Sequence, residues 1–377
     1  MTGEYIDRLE KTRAACRFEK ISSVPSMSST TGWAQFGNAS LIPENYSDIG
    51  RLKETLYEYS QRYDFDCYLA NETPLGDPVM DILGYGQKAV DKDGEGDDGG
   101  LFKKNSDFDR YIEDYQKFIN DAFALKYPHL ETAGFAKAIL AFWEMGRLSG
   151  EINSQVFEGT INRPLMCNKD SFAQMPFESF LAVRGTADIV ADLRRDLEKT
   201  RFALSARWQQ IMLSLAAATQ SMDKSHGYVC DINTTMKSHN FLSEKQFSRV
   251  YWPYLSQTVD LAYGNGMLLF IFCCEEMLRF RDFFQDMPKG AVVLHPQADR
   301  ILEVRNLIPR ISLSGGFPRW ALSECPARDC RDAAQMLVDE MREGYIFGID
   351  DIHGDSDSIK RENLEAVASF IDGYKII

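Results

Sequence analysis

The chain has 377 residues, a formal net charge of −14 and an apolar share of 44%, enough for a substantial core. That charge balance argues against nucleic acid as a partner, because phosphate binding needs a concentrated basic surface and no Lys/Arg block occurs. No run of about 20 apolar residues exists to span a membrane, and the first residues lack the apolar core of a secretory leader. Eight cysteines, mostly inside apolar runs and without a C-x-x-C pair, read as reduced buried thiols, so the chain is expected to be cytoplasmic.

In chain order, residues 5–20 suit an amphipathic helix, with Ile6, Leu9 and Ala14 on one side. Val24-Pro25-Ser26-Met27 reads as a short strand running into a polar loop. Residues 47–62 form a helix, and Phe65-Asp66-Cys67-Tyr68-Leu69-Ala70 the next strand. The alternation then breaks. Asp91 to Gly100 is acidic and Gly-rich, a mobile loop by composition. Residues 104–125 and 133–147 have helical spacing, and the stretch to about 180 reads as an insertion. Residues 190–222 read as a long pair of helical segments, Gly227 to Ile232 as a strand, and 243–263 as a helix begun by Ser243-Glu244.

From there helix and strand alternate steadily. The predicted strands are Met267–Cys274, Ala291–His295, Arg310–Leu313 and Tyr345–Ile349, with helices centred on 278–284, 301–306 and 328–342. Apolar runs that stop abruptly in polar and small residues are what a parallel barrel produces, each strand end opening into a loop where chemistry can be placed. The expected architecture is one TIM (β/α)8 barrel over residues 1–377, with an N-terminal extension and a helical insertion around 75–175.

The order of these segments resembles the uroporphyrinogen decarboxylase superfamily, especially its corrinoid-dependent methyltransferase branch. The likeness rests on Arg13 to Pro25; on Pro176-Phe177-Glu178 with Arg184-Gly185; and on Leu242 to Phe247 with Tyr251-Trp252-Pro253. It continues through Met287 to Val293, Ser314-Gly315-Gly316, Gly344 to Gly354 and Glu362-Asn363-Leu364. It implies a barrel with its site at the carboxyl ends of the strands. Two departures matter. After the first strand, where decarboxylases of the family carry propionate-gripping arginines, this chain has Met27 to Trp33 without one. Thiol-methylating members build a zinc site from "H-x-C" and a later Cys. Here alignment on Pro288-Lys289-Gly290 puts Phe272 at the His position and Cys274 at the first Cys, and counting back from Asn363 puts His353 at the second.

Cys274 and His353 are therefore the candidate metal ligands, with Glu275 as a possible third and zinc as the metal. The plainer reading of Cys273 and Cys274 is buried strand thiols. His353, beside Asp351, suits general acid or base work, and so does Glu275; a loop histidine capping the final helix is the alternative. His295 closes its strand in the same manner, as a substrate contact or a satisfied barrel histidine. Asn71, beside Glu72, and Asp231 and Asn233 follow other strands, either toward substrate or as helix caps. Gly315 and Gly316 would let backbone N–H groups approach an anion or cofactor tail, or simply make a turn. Trp33, Tyr68, Phe272, Phe317 and Trp320 near strand ends would wall in a flat methoxylated ring, or else belong to the core.

The resemblance implies a methyltransferase that moves a methyl group between a small molecule and the cobalt of a corrinoid held by a separate protein. The incomplete zinc pattern favours an O-demethylase type. A porphyrinogen-like decarboxylase and a non-catalytic binding relative are the alternatives.

Overall fold

The computed structural model describes residues 2–29, 49–69, 106–126, 132–167, 171–221, 227–350 and 359–376. Its sheet has nine parallel pieces: β1 (Ser26–Ser29), β2 (Cys67–Leu69), β3 (Leu165–Cys167), β4 (Tyr228–Cys230), β5 (Ile232–Met236), β6 (Leu269–Cys273), β7 (Val292–Pro296), β8 (Ser312–Phe317) and β9 (Tyr345–Ile349). Their order is β4-β3-β2-β1-β9-β8-β7-β6-β5. The two end members are consecutive pieces of one stretch, separated only by Asp231, so the sheet closes on itself. The result is the parallel barrel expected from the sequence, with one strand bent so that its first half pairs with β3 and its second with β6.

Three strand assignments change. β3 lies inside the range read as insertion. The strand read as Gly227–Ile232 continues to Met236 beyond a break at Asp231. Ser314-Gly315-Gly316 lies within β8 rather than in a turn after it, because Gly315 and Gly316 stay registered against Phe347 and Gly348 of β9. Between β2 and β3 the described chain is helical, over Ser106–Glu113, Tyr115–Lys126, Thr132–Ile152 and Asn153–Ile161.

Alternation along each strand divides the apolar residues into two cores. Leu269, Ile271, Leu294, Leu313, Tyr345 and Phe347 face outward against the helices, whose Leu255, Val259, Val304, Leu337 and Leu364 complete that layer. Val229, Leu268, Phe270, Phe272, Val293 and Ile346 fill the lumen. Sulfur takes an unusual share of that interior: Cys16, Met27, Cys67, Met166, Cys167 and Cys230 are all in it. Burial pushes the Cys67 and Cys230 thiols well up, which keeps them protonated.

The helix Gly3–Cys16 closes the amino-terminal end of the barrel. It starts where Thr2 accepts from the Tyr5 N–H, and it buries Tyr5, Leu9, Ala15 and Cys16. Tyr5 donates to the Gly227 carbonyl at 2.8 Å, Arg13 to the Tyr228 carbonyl at 3.0 and 2.6 Å, and Ser312 to the Cys16 carbonyl. Arg8 and Lys11 meet Asp66, whose other oxygen accepts from the Ser26 N–H at 2.9 Å. With that end stapled shut, access to the lumen is left to the carboxyl-terminal end. No helix among the described residues is long and apolar enough to cross a membrane.

Candidate functional site

The carboxyl ends of β5 to β9 hold most of the described candidates. β6 and β7 run in register, so Phe272 stands opposite His295, and both point inward. Their rings stack at 5.2 Å with planes 15° apart, and Phe270 sits tilted at 6.1 Å from the same imidazole. His295 is 0% exposed. Its Nδ1 lies 3.0 Å from the Ser314 hydroxyl on β8, while Nε2 has no hydrogen-bond partner among the described residues. Burial drives the His295 pKa down to about 4, so the ring is neutral at physiological pH.

Gly315 explains how the histidine fits. Its φ is +93°, and a Cβ placed there would stand 2.6 Å from Asp350 Oδ1 and 2.7 Å from His295 Cε1. Any larger residue would push one of them aside. Gly316 does a different job from the one the sequence suggested: its N–H donates to Asp350 Oδ1 at 2.6 Å, so that donor is committed within the protein. Together with the Asp350 N–H on the Phe317 carbonyl at 2.8 Å, this bond fixes the exit of β9.

Cys274 continues the inward face of β6 one step beyond Phe272. Its N–H donates to the Met236 carbonyl at 2.9 Å and its side chain is half-buried against the lumen. Burial raises its thiol pKa, with Lys237 pulling the other way. Glu275 follows, half-exposed, its carbonyl receiving the Cys273 thiol at 3.2 Å. Asn233 stands at an inward position of β5, and its carbonyl accepts from the Ala173 N–H at 2.7 Å.

Asp231 is placed elsewhere. It marks the bend between β4 and β5, accepting from the Leu268 N–H at 3.0 Å and meeting Arg13 at 3.4 Å, beside the closing helix. It secures the barrel seam at the end opposite to the strand exits. The aromatic wall also shrinks: Tyr68 and Phe317 belong to the outer core, and Trp320 is largely exposed. Phe272 alone of those described faces the lumen. Asn71, Glu72, Trp33, Asp351, His353 and the Asp91–Gly100 loop lie outside the described residues.

Two positioning residues are not among the sequence candidates, although Glu178 belongs to the Pro176-Phe177-Glu178 segment that carries the resemblance. His239 follows β5, fully buried, its Nε2 3.2 Å from the Glu276 carbonyl and 3.7 Å from Cys273 Sγ. It ties down the loop that carries Cys274 and Glu275, and burial drives its pKa to about 4. Glu178 accepts from the Lys237 and Ser238 N–H groups at 2.9 Å each and from the Tyr251 hydroxyl at 3.0 Å, which secures the exit of β5.

Among the described residues no three His, Cys, Asp or Glu side chains converge as a metal site. Cys274 has an aromatic ring where a nitrogen ligand would stand and a thiol that burial keeps protonated. The described residues do not by themselves make a zinc centre, and His353 lies outside them.

No protein-family model matches the chain, and no curated protein matches it. Among solved structures, a methyltransferase from Methanosarcina mazei is similar over 96% of this chain and 98% of its own, with a TM-score of 0.58 and 13% sequence identity. That likeness shows a fold shared across nearly the whole length of both chains.

Proposed function

We propose that the chain is a methyltransferase moving a methyl group between a small molecule and the cobalt of a corrinoid carried by a separate protein. The observation that carries this reading is the end-to-end likeness to a methyltransferase structure, 96% of one chain on 98% of the other. The sequence resemblance to corrinoid-dependent enzymes points the same way. A methoxylated aromatic is the proposed donor class, and Phe272 with His295 its proposed wall.

Reduced cobalt supplies the attacking electron pair. The bond from cobalt to the methyl carbon forms as the carbon–oxygen bond breaks, and the released pair passes to oxygen, which takes up a proton. His295 cannot supply that proton as an imidazolium, since burial keeps it neutral. The acid role is therefore given to His353 with Asp351 or Glu275, while Asn233, Phe272, His295 and Gly315 orient the substrate. Cys274 with His353 remains the proposed pair for any bound zinc. Asn71 belongs to the proposed substrate contacts. Gly316 enters only through Asp350.

The test is methyl transfer from methoxylated aromatics to free, reduced cobalamin by the purified chain, followed as methylcobalamin formed. His353→Ala should lower turnover roughly a hundredfold with the fold intact. No transfer to free or protein-bound corrinoid, together with tight porphyrinogen binding, would instead support the decarboxylase reading.

A further inference from the structure

A buried polar atom without a partner calls for an explanation. Among the described residues two imidazole nitrogens qualify, His239 Nδ1 and His295 Nε2. The first is packed between Tyr251 and Phe280 of the outer core, away from the lumen. The second lies on the inward face of β7, on the distal edge of a ring whose near nitrogen is engaged by Ser314.

We infer that His295 is a specificity-determining residue for a flat, uncharged ring bearing an oxygen, which takes Nε2 as its hydrogen-bond partner. This deepens the proposed methyl transfer, resting on it for the reaction but not for the binding. Three features converge on that ligand class. Phe272 stacks on the imidazole and Phe270 tilts against it, so the surroundings of His295 are aromatic and apolar, which suits a planar ligand. The imidazole is neutral, so it offers one directional hydrogen bond and no charge to pair with an anion. The Asp350 carboxylate crowds the same point beside Gly315 as His295 Cε1, so an anion brought to Nε2 would meet a like charge at low dielectric.

The glycine matters to this arrangement: without a Cβ at position 315, ring and carboxylate share the space that sets the preference. The hydroxyl of Ser314 completes it by fixing the rotation of the imidazole. A phenol or an aryl ether oxygen satisfies Nε2 in one or other tautomer of the ring.

Titration calorimetry on the full chain would compare 2-methoxyphenol, 4-hydroxy-3-methoxybenzoate and a benzyltrimethylammonium salt. The neutral phenol should bind at least about tenfold tighter than the benzoate, and tighter than the ammonium, which offers no hydrogen-bonding atom to Nε2. His295→Phe, which keeps the stack and removes both nitrogens, should weaken it about tenfold, the worth of one desolvated hydrogen bond. Ser314→Ala, a smaller change that also frees the ring, should weaken it in the same direction. Unchanged affinity in both variants, tighter binding of either charged probe, or no binding of the phenol would overturn the inference. Binding without methyl transfer would count against the proposed reaction alone. Methyl transfer with an unaltered KM in His295→Phe would count against this assignment alone.

Discussion

Acid should unfold this protein through two particular histidines. His239 and His295 ordinarily titrate near 6.5, but burial holds both at about 4 in the folded chain. Between those values the unfolded chain carries a proton on each that the folded chain refuses. Stability therefore rises with pH across that window and is lost as pH falls from about 6.5 toward 4. Each histidine contributes a slope of about 1.4 kcal/mol per pH unit, accumulating to about 3 kcal/mol over the whole interval. His239→Gln and His295→Gln remove the titrating group while keeping a polar amide. Urea denaturation at half-unit steps from pH 4 to 7.5 would read the difference. Each variant should be less stable than the parent at pH 7.5, and its stability curve should be flatter by about 1.4 kcal/mol per unit below 6.5. Curves that run parallel to the parent would refute the claim that these rings are buried neutral.

Further expectations follow from the same geometry. Gly315→Ala forces a left-handed φ on an L residue and drives a methyl into Asp350 and His295; it should cost on the order of 3 kcal/mol in urea denaturation, and a loss under about 0.5 kcal/mol would show the strand free to relax. Asp231→Ala leaves the Leu268 N–H without its acceptor and removes the ion-pair partner of Arg13, so stability should fall by about 2 kcal/mol while affinity for neutral rings stays unchanged. Lost affinity at full stability would return Asp231 to the substrate site. Alkylation of Cys274, followed by peptide mapping, should lag behind that of an exposed cysteine in a short peptide at the same pH, because burial raises the thiol; an equal or faster rate would contradict that environment.

Much of the barrel was legible because its later strands are buried on both faces and leave unbroken apolar runs. Tyr345–Ile349 was delimited to the residue, and Leu269–Cys273 lies inside the run read as Met267–Cys274. Leu165–Cys167 escaped because three residues carry no periodicity and sit between helical stretches. The break at Asp231 escaped because it depends on two different neighbouring strands, which no local pattern records. At the site, the inward position of His295 follows from alternation along Val292–His295. Its stacking on Phe272 depends on the register of β6 with β7, and its neutrality depends on how deeply the barrel buries it. Tyr68 and Phe317 misled for the same reason: their proximity to strand ends was readable, but the face they occupy was not. Glu178 and His239 act through backbone groups far away in sequence, so the role of each could not be read from its own segment.

The sulfur-rich interior has a consequence for handling the protein. Four thiols, from Cys16, Cys67, Cys167 and Cys230, are sealed behind the Gly3–Cys16 helix and are inert while it stays seated. Should that helix lift away, all four meet solvent together, so the rate at which a colourless thiol dye turns yellow would time the opening of the barrel floor without any engineered label. Refolding, by the same token, calls for a reductant from the first second, before the floor has closed over them.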